Sequence, residues 1–231
     1  MIEPWVLAEA AGVVAIHKPA GLATQAPPGI PSVESWLRGR LAAGDAAAYV
    51  GVPHRLDRAV SGVLLMATTP RAARKLSRQF ERREVAKEYL AVVAPSAEPL
   101  ADGEAIEWRD SIEKVPDEPR ARIADPSSGA AREAVTAVRR LPARSPTGDA
   151  HLLLLEPRTG RMHQLRLQAS IRGMPIVGDE LYGGCQLSSE DPRGRPILLH
   201  AWRITYRDPD AAARVMIEAP LPEHWPAWAR P

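Results

Sequence analysis

The chain has 231 residues, of which 45% are hydrophobic and 25% charged, a composition ordinary for a globular protein with a sizeable core. The formal net charge of +2 is too small to attract nucleic acid by itself, so a nucleic-acid surface would require local clustering of basic residues. Cys185 is the only cysteine, which excludes an internal disulfide, and neither a signal peptide nor an apolar run of about 18–20 residues is present, so a cytoplasmic location is expected.

Apolar runs and helical spacing predict alternating strands and helices in the first part of the chain. Val13–Ile16 is a short apolar run typical of a strand that leads into a turn. Ser32–Leu41 combines a serine N-cap, an acidic first turn and apolar residues at helical spacing, which predicts a helix. Gly62–Thr68 is rich in branched residues and predicts a buried strand. Pro70–Arg83 follows a threonine N-cap and is the clearest predicted helix.

The second part of the chain predicts mainly strands. Pro95–Pro146 is rich in proline, alanine and charge, which predicts sheet broken by mobile loops. Thr159–Arg172 predicts a helix that Thr159 caps. Strands are predicted at Glu88–Ala94, Ala105–Trp108, Arg132–Arg139, Ala150–Glu156, Pro196–Arg207 and Val215–Ala219. We therefore expect a single α+β domain over residues 1–231, with a mixed, largely antiparallel central sheet flanked by helices and loops.

One side of the predicted helix Pro70–Arg83 is strongly basic. Its apolar residues gather on one side, and the opposite side carries Arg71, Arg74, Lys75, Arg78 and Arg82. A solvated helix face is the common explanation for such a stripe. Because almost all of the charge here has one sign while the rest of the chain is nearly neutral, we favour a surface that faces a polyanion.

Several catalytic and ligand-binding signatures are missing from the sequence. The phosphate-binding patterns GxxxxGK[ST] and GxGxxG and the hydrolase pattern GxSxG do not occur. The six histidines form no HxxxH pair, and a single cysteine cannot build a thiolate site. We therefore expect no metal and no cofactor.

The stretch Pro53–Ala67 places a polar cluster directly before an apolar run. Asp57 lies in this cluster between Arg55 and Arg58. A desolvated carboxylate that is paired with an arginine can stay ionised and act as a nucleophile or a base. A structural ion pair at the start of a strand explains the same residues, and the stretch taken alone favours that explanation.

Separated segments in a fixed order carry the positive functional signal. They read HRLDRAVSGVLL at His54–Leu65, KEYLA at Lys87–Ala91, TGRMHQLR at Thr159–Arg166 and GMPIVGDELYG at Gly173–Gly183. Together with Lys18–Gly21 and Leu199–Arg203, they resemble the motifs of pseudouridine synthases of the RluA type. The resemblance runs from about Val13 to Pro222 and implies the fold of that family. It also implies isomerisation of uridine, in which the N1–C1′ bond breaks, the uracil rotates and a C5–C1′ bond forms.

The resemblance implies roles for three residues. Asp57 aligns with the catalytic aspartate, which acts on the sugar as a nucleophile at C1′ or as a base at C2′. Arg166 aligns with the arginine that pairs with this aspartate, lowers its pKa and orients it. Tyr89 aligns with an active-site tyrosine whose ring can stack on the extruded uracil. Without the resemblance, the simpler explanation of Tyr89 is a core residue, and that of Arg166 is a member of a structural ion pair.

The same resemblance implies structured RNA, a tRNA or rRNA stem-loop, as the partner. A stacked uridine cannot be reached, so it must be flipped out, and Arg55 aligns with the arginine that occupies the vacated space. Candidate contacts to the RNA backbone are Arg58, Arg71, Arg74, Lys75, Arg78, Arg82, Lys87 and Arg161. Only a short stretch precedes the first motif, so we expect no N-terminal S4 domain. We also expect a monomer without an obligatory protein partner.

Three positions depart from the family pattern, and two other functions stay open. Val60 stands where the family has threonine, Met162 where it often has threonine or serine, and Gln168 where it commonly has histidine. None of these changes removes Asp57, Tyr89 or Arg166. A non-catalytic RNA-binding protein on the same fold is the first alternative, and a glycosidase or nucleosidase that uses Asp57 is the second.

Overall fold

The structure is a computed structural model that describes residues 3–42, 48–96, 100–185, 196–211 and 213–231. The described residues form two compact units. The first contains the described residues up to Lys87 and the segment Ala201–Pro222, and the second contains the remainder. The single-domain organisation expected from the sequence stays a prediction.

The described ranges contain ten strands and three α-helices. The strands are β1 (Trp5–Ala10), β2 (Val13–Lys18), β3 (Ser61–Ala67), β4 (Ala86–Val93), β5 (Ala105–Lys114), β6 (Ala121–Ile123), β7 (Arg132–Arg144), β8 (His151–Pro157), β9 (Leu199–Arg207) and β10 (Arg214–Glu218). The helices are α1 (Val33–Leu41), α2 (Pro70–Glu81) and α3 (Gln164–Ser170). Two short 3₁₀ helices lie at Glu180–Tyr182 and Ala227–Ala229.

The first unit is built on the strand order β1-β2-β3-β9, with β10 paired to β9. The pairs β1–β2, β2–β3 and β9–β10 are antiparallel. Every residue of β2 and β3 is buried, so both strands form the core of this unit. The helices α1 and α2 of this unit begin where the sequence predicts. The side chain of Ser32 accepts the N–H of Ser35, and that of Thr69 accepts the N–H of Ala72.

Gly62 is required where β3 approaches β9. Its φ of +121° is rarely adopted by other residues, and an added Cβ would lie 2.2 Å from the carbonyl oxygen of Ala201. The close approach of the two backbones therefore depends on the absence of a side chain at this position.

The second unit has the strand order β4-β8-β7-β5-β6, and each of these neighbouring pairs is antiparallel. Its core contains Leu152, Leu153 and Leu155 of β8 together with Trp108 of β5. The helix α3 contacts β5 and β6. The α+β class with a largely antiparallel sheet is thus confirmed.

One strand was missed, and three predicted elements differ in extent from the structure. The chain forms β1 at its start, which was not predicted from the sequence: its apolar residues Trp5–Ala8 form only a short run, and the strand is half-exposed. Within Pro95–Pro146, β5 and β7 are longer than predicted, because each pairs with the other over eight residues in register. The helix predicted over Thr159–Arg172 begins only at Gln164.

Candidate active site

The loop that carries Asp57 is held on both sides of that residue by one neighbouring segment. The hydroxyl of Thr24 donates to the carbonyl oxygen of Leu56 at 2.9 Å and accepts the N–H of Leu56 at 3.1 Å. The N–H of Gly21 donates to the carbonyl oxygen of Arg58, and the Nε of Arg58 donates to the carbonyl oxygen of Gly21, both at 2.8 Å. The backbone next to the half-buried Asp57 is therefore fixed by side-chain and main-chain hydrogen bonds together.

A buried ammonium group lies beneath the same loop. The Nζ of Lys18 donates to the carbonyl oxygens of Pro19 at 3.0 Å, Leu22 at 2.7 Å and Arg58 at 3.2 Å. Burial lowers the pKa of Lys18 to about 7, while the negative charge of Asp57 acts in the opposite direction. The carboxylate of Asp57 thus favours the charged form of Lys18 against the cost of burial.

His54 anchors the beginning of the loop to β3 and α2. Its Nε2 accepts the N–H of Leu65 at 2.9 Å, and its ring stacks on Phe80 with centroids 4.5 Å apart. Burial, assisted by the charge of Lys87, lowers the pKa of His54 to about 3. The imidazole is therefore neutral at physiological pH and serves as a hydrogen-bond acceptor.

Val60 closes a turn with Asp57. Its N–H donates to the carbonyl oxygen of Asp57 at 3.1 Å, and its side chain is buried in the core of the first unit. The turn is made by main-chain atoms, so it does not need the hydroxyl of the threonine found in the family pattern.

In the second unit, Arg166 is buried in α3 and bound by Asp179. Its Nε and Nη2 donate to the two carboxylate oxygens of Asp179, both at 2.6 Å. The guanidinium carbon lies 5.2 Å from the centre of the Tyr182 ring. A bidentate pair with an aromatic ring beside it leaves the guanidinium group little freedom to rotate.

Tyr182 is itself fixed by its hydroxyl. The hydroxyl oxygen accepts the N–H of Ala121 at 2.8 Å and lies 2.9 Å from the Nδ1 of His163. Burial raises the pKa of Tyr182, so the phenol stays neutral. His163 has a φ of +52° at the N-cap of α3, an uncommon conformation for a residue other than glycine.

Polar side chains between α3 and β7 explain why this helix begins late. Thr159 does not cap the helix: its hydroxyl donates to the Oε1 of Gln164 at 2.7 Å and accepts the N–H of Val135 at 2.9 Å. The Nε2 of Gln164 donates to the hydroxyl of Thr136 at 2.9 Å. The segment from Thr159 to His163 is therefore shaped by contacts to β7 instead of by helical hydrogen bonds.

The same hydrogen-bond network explains how a glutamine is accommodated at position 168. Its Oε1 accepts the hydroxyl of Thr136 at 2.7 Å, and its Nε2 donates to the carboxylate of Asp110 at 2.8 Å and to the carbonyl oxygen of Ala134 at 3.2 Å. A fully buried amide with these partners is satisfied. Glutamine thus supplies one acceptor and two donors at a position where the family commonly has histidine.

Tyr89 lies in β4, half-buried, opposite Leu155 of β8. It belongs to the second unit with Arg166, whereas Asp57 belongs to the first unit. The expectation that these three residues act on one uridine stays a prediction.

The basic residues predicted to contact RNA differ in their surroundings. The exposed ones are Arg55, Arg58, Arg71, Arg74, Arg78 and Arg82. Lys75 and Lys87 are half-buried, and burial lowers the pKa of Lys87 to about 8. Arg161 is half-buried, and its Nε donates to the carbonyl oxygen of Glu133 at 2.9 Å.

Sequence reasoning assigned no individual role to the groups that hold the proposed catalytic side chains. Lys18 and Asp179 lie within the family motifs Lys18–Gly21 and Gly173–Gly183. Their place in these motifs was the one sign in the sequence that they could matter for function. Thr24 lies outside every motif, and no pattern in the sequence marks it.

The described ranges contain neither a metal-binding cluster nor a membrane-spanning helix. No group of three or more His, Cys, Asp or Glu side chains there could hold a metal ion. No helix in the same ranges is long and apolar enough to cross a membrane. The absence of a metal or cofactor stays a prediction.

Comparison with known proteins identifies the family. Residues 12–170 match the family model described as RNA pseudouridylate synthase. The ribosomal large subunit pseudouridine synthase C of Rickettsia bellii is 35% identical over 96% of this chain and 69% of that protein. The tRNA pseudouridine synthase C of Salmonella typhimurium is 32% identical over 96% of this chain and 85% of that protein.

A solved structure shows the same relationship. The human RNA pseudouridylate synthase domain containing 1 superposes with a TM-score of 0.72 at 26% identity, over 95% of this chain and 84% of that one. The chain therefore belongs to the RNA pseudouridylate synthase family and is an enzyme that isomerises uridine in RNA to pseudouridine.

Proposed function

We propose that this pseudouridine synthase modifies a uridine in a structured tRNA or rRNA stem-loop and that Asp57 is the carboxylate that acts on the sugar. The proposal rests on the hydrogen bonds that Thr24, Gly21 and Lys18 make to the two residues flanking Asp57. A catalytic group must lie within about 3–3.5 Å of the reacting atom, so a loop fixed on both sides of the carboxylate suits this role.

Arg166 and Tyr89 complete the proposed catalytic group. In this proposal Arg166 pairs with Asp57 and keeps it ionised, and the bidentate bond to Asp179 holds Arg166 in orientation. Tyr89 stacks on the extruded uracil, and Arg55 enters the space that the base leaves. Asp57 acts either as a nucleophile at C1′ or as a base at C2′.

The RNA class is proposed from the relatives. One relative carries a name that refers to the ribosomal large subunit and another a name that refers to tRNA, which supports both kinds of RNA as substrates. The proposed contacts to the RNA backbone are Arg58, Arg71, Arg74, Lys75, Arg78, Arg82, Lys87 and Arg161. The enzyme is proposed to work in the cytoplasm as a monomer without cofactor or obligatory protein partner.

Tritium release tests the assignment of Asp57. When C5 of uridine joins C1′, its hydrogen is lost, so RNA labelled with tritium at C5 releases tritium to water. We expect the wild-type enzyme to release it from tRNA or rRNA, and Asp57→Ala to release none while binding the RNA within several-fold of the wild type. Asp125→Asn, on the exposed surface, is the control and should turn over normally. Retained turnover in Asp57→Ala would overturn the assignment.

A further inference from the structure

The hairpin of β9 and β10 places two arginines directly opposite each other. Arg207 and Arg214 are partners in the antiparallel ladder, and both are exposed. At the other end of the same ladder, Arg203 faces Glu218 and forms an ion pair at 2.7 Å. Like charges that face each other in a sheet are destabilising. No carboxylate in the described ranges pairs with Arg207 or Arg214.

The helix α2 is attached to the end of this hairpin along three successive turns. The side-chain amide of Gln79 donates to the carbonyl oxygen of Arg207 at 2.9 Å and accepts its N–H at 2.7 Å. Two more contacts follow at one-turn intervals toward the start of α2: the Lys75 ammonium group donates to the carbonyl oxygen of Pro209, and Arg71 pairs with Asp210 at 3.0 Å. Part of the basic stripe predicted from the sequence therefore holds the hairpin.

A second row of arginines lies beside these attachment points. Arg74, Arg78 and the C-cap residue Arg82 recur every four residues, so they follow one another along α2 and its C-terminal end, on the side next to Arg71 and Lys75. All three are exposed, and none forms an ion pair with another residue that the structure describes. Like charges at this spacing destabilise a helix, so folding alone does not account for the row.

We propose that Arg74, Arg78 and Arg82 together with Arg207 and Arg214 form one phosphate-binding surface that holds the backbone of the RNA substrate. This inference rests on the proposed function and extends it to a hairpin that the sequence did not mark. The five guanidinium groups lie on two elements that are hydrogen-bonded to each other. Phosphates neutralise the repulsion among them and accept paired hydrogen bonds from guanidinium, and their condensed counterions are released on binding.

The salt dependence of RNA binding tests this surface. Purified total tRNA is the probe, and the variant is Arg207→Gln/Arg214→Gln. We expect affinity at low salt to fall about tenfold and the slope of log K against log salt to decrease by about 1.4–1.8, the contribution of two phosphate contacts. Arg109→Gln/Arg122→Gln is the matched control, because it removes the same charge from exposed arginines that pair with glutamates. The control should keep the wild-type slope.

Two further measurements keep the result interpretable. The melting temperature of Arg207→Gln/Arg214→Gln should equal or exceed that of the wild type, because the like-charge pair is gone, and Arg207→Lys/Arg214→Lys should retain the wild-type salt slope. The proposal is overturned if the glutamine variant keeps the wild-type salt slope, or if the salt slope of the control decreases as much as that of the glutamine variant. Binding does not require turnover, so this result is independent of whether Asp57 is catalytic.

Discussion

Thr24 and Leu56 exchange two hydrogen bonds, in which one hydroxyl satisfies both the carbonyl oxygen and the N–H of a buried backbone position. The hydroxyl does for Leu56 what a neighbouring strand does for a residue in a sheet. Because Leu56 directly precedes Asp57, this side chain fixes the backbone on one side of the proposed catalytic residue.

Thr24→Val should therefore weaken both the fold and the activity. The substitution keeps the side-chain shape but leaves two buried polar groups without their partner, which should lower the free energy of unfolding by about 2 kcal/mol. Turnover should fall at least tenfold, measured by tritium release at saturating RNA. Thr24→Ser keeps the hydroxyl and is the control. Equal stability of the valine and serine variants would contradict this role.

Asp179→Asn should reduce turnover by more than tenfold while RNA affinity stays near the wild-type value. The change removes the negative charge that orients the buried Arg166 and should lower the free energy of unfolding by about 3 kcal/mol. Denaturant unfolding and single-turnover kinetics measure the two effects. Glu107→Gln changes an exposed ion pair and should alter neither quantity. Full turnover in Asp179→Asn would show that this contact does not matter for catalysis.

Gly62→Ala should prevent normal folding. A methyl group would lie 2.2 Å from the backbone oxygen of Ala201 at a φ unsuited to alanine, so the loss should be about 4 kcal/mol or more. Gly39→Ala is the matched control, because Gly39 is an exposed residue of α1 with open space around it and should gain about 0.5–1 kcal/mol. Thermal unfolding distinguishes the two, and similar melting temperatures would disprove the close approach of β3 and β9.

His54 should make the protein less stable as the pH falls. Its folded-state pKa of about 3 lies below the ordinary value of 6.5, so between these values the unfolded chain binds a proton that the folded chain does not. The free energy of unfolding therefore rises with pH between these two values and falls on acidification. The change that His54 contributes is at most about 1.4 kcal/mol per pH unit.

His54→Gln isolates this contribution. The amide oxygen of glutamine can accept the N–H of Leu65 without binding a proton, so the variant should lose less stability than the wild type between pH 6.5 and pH 4. Urea unfolding at several pH values measures the difference. Parallel pH profiles would show that His54 titrates normally in the folded protein.

Elements with strong local signals could be predicted closely. Both α1 and α2 begin at the predicted capping residues, and β3 coincides with its apolar run. These features depend on caps and spacing within a few residues, which a sequence displays directly. By contrast, the length of β7 and the late start of α3 depend on partners far along the chain, and local patterns do not contain them.

The sequence by itself determined the family and the reaction, because the motifs around Asp57, Tyr89 and Arg166 are long, ordered and spread over most of the chain. Only the tertiary structure decided which side chains fix the positions of the proposed catalytic and RNA-binding residues. The Thr24–Leu56 contact joins residues 32 positions apart, and Arg71 and Lys75 attach to the β9–β10 hairpin whereas Arg74, Arg78 and Arg82 do not. Hydrogen bonds and ion pairs between distant segments leave no periodic pattern, so they become visible only when the chain is folded.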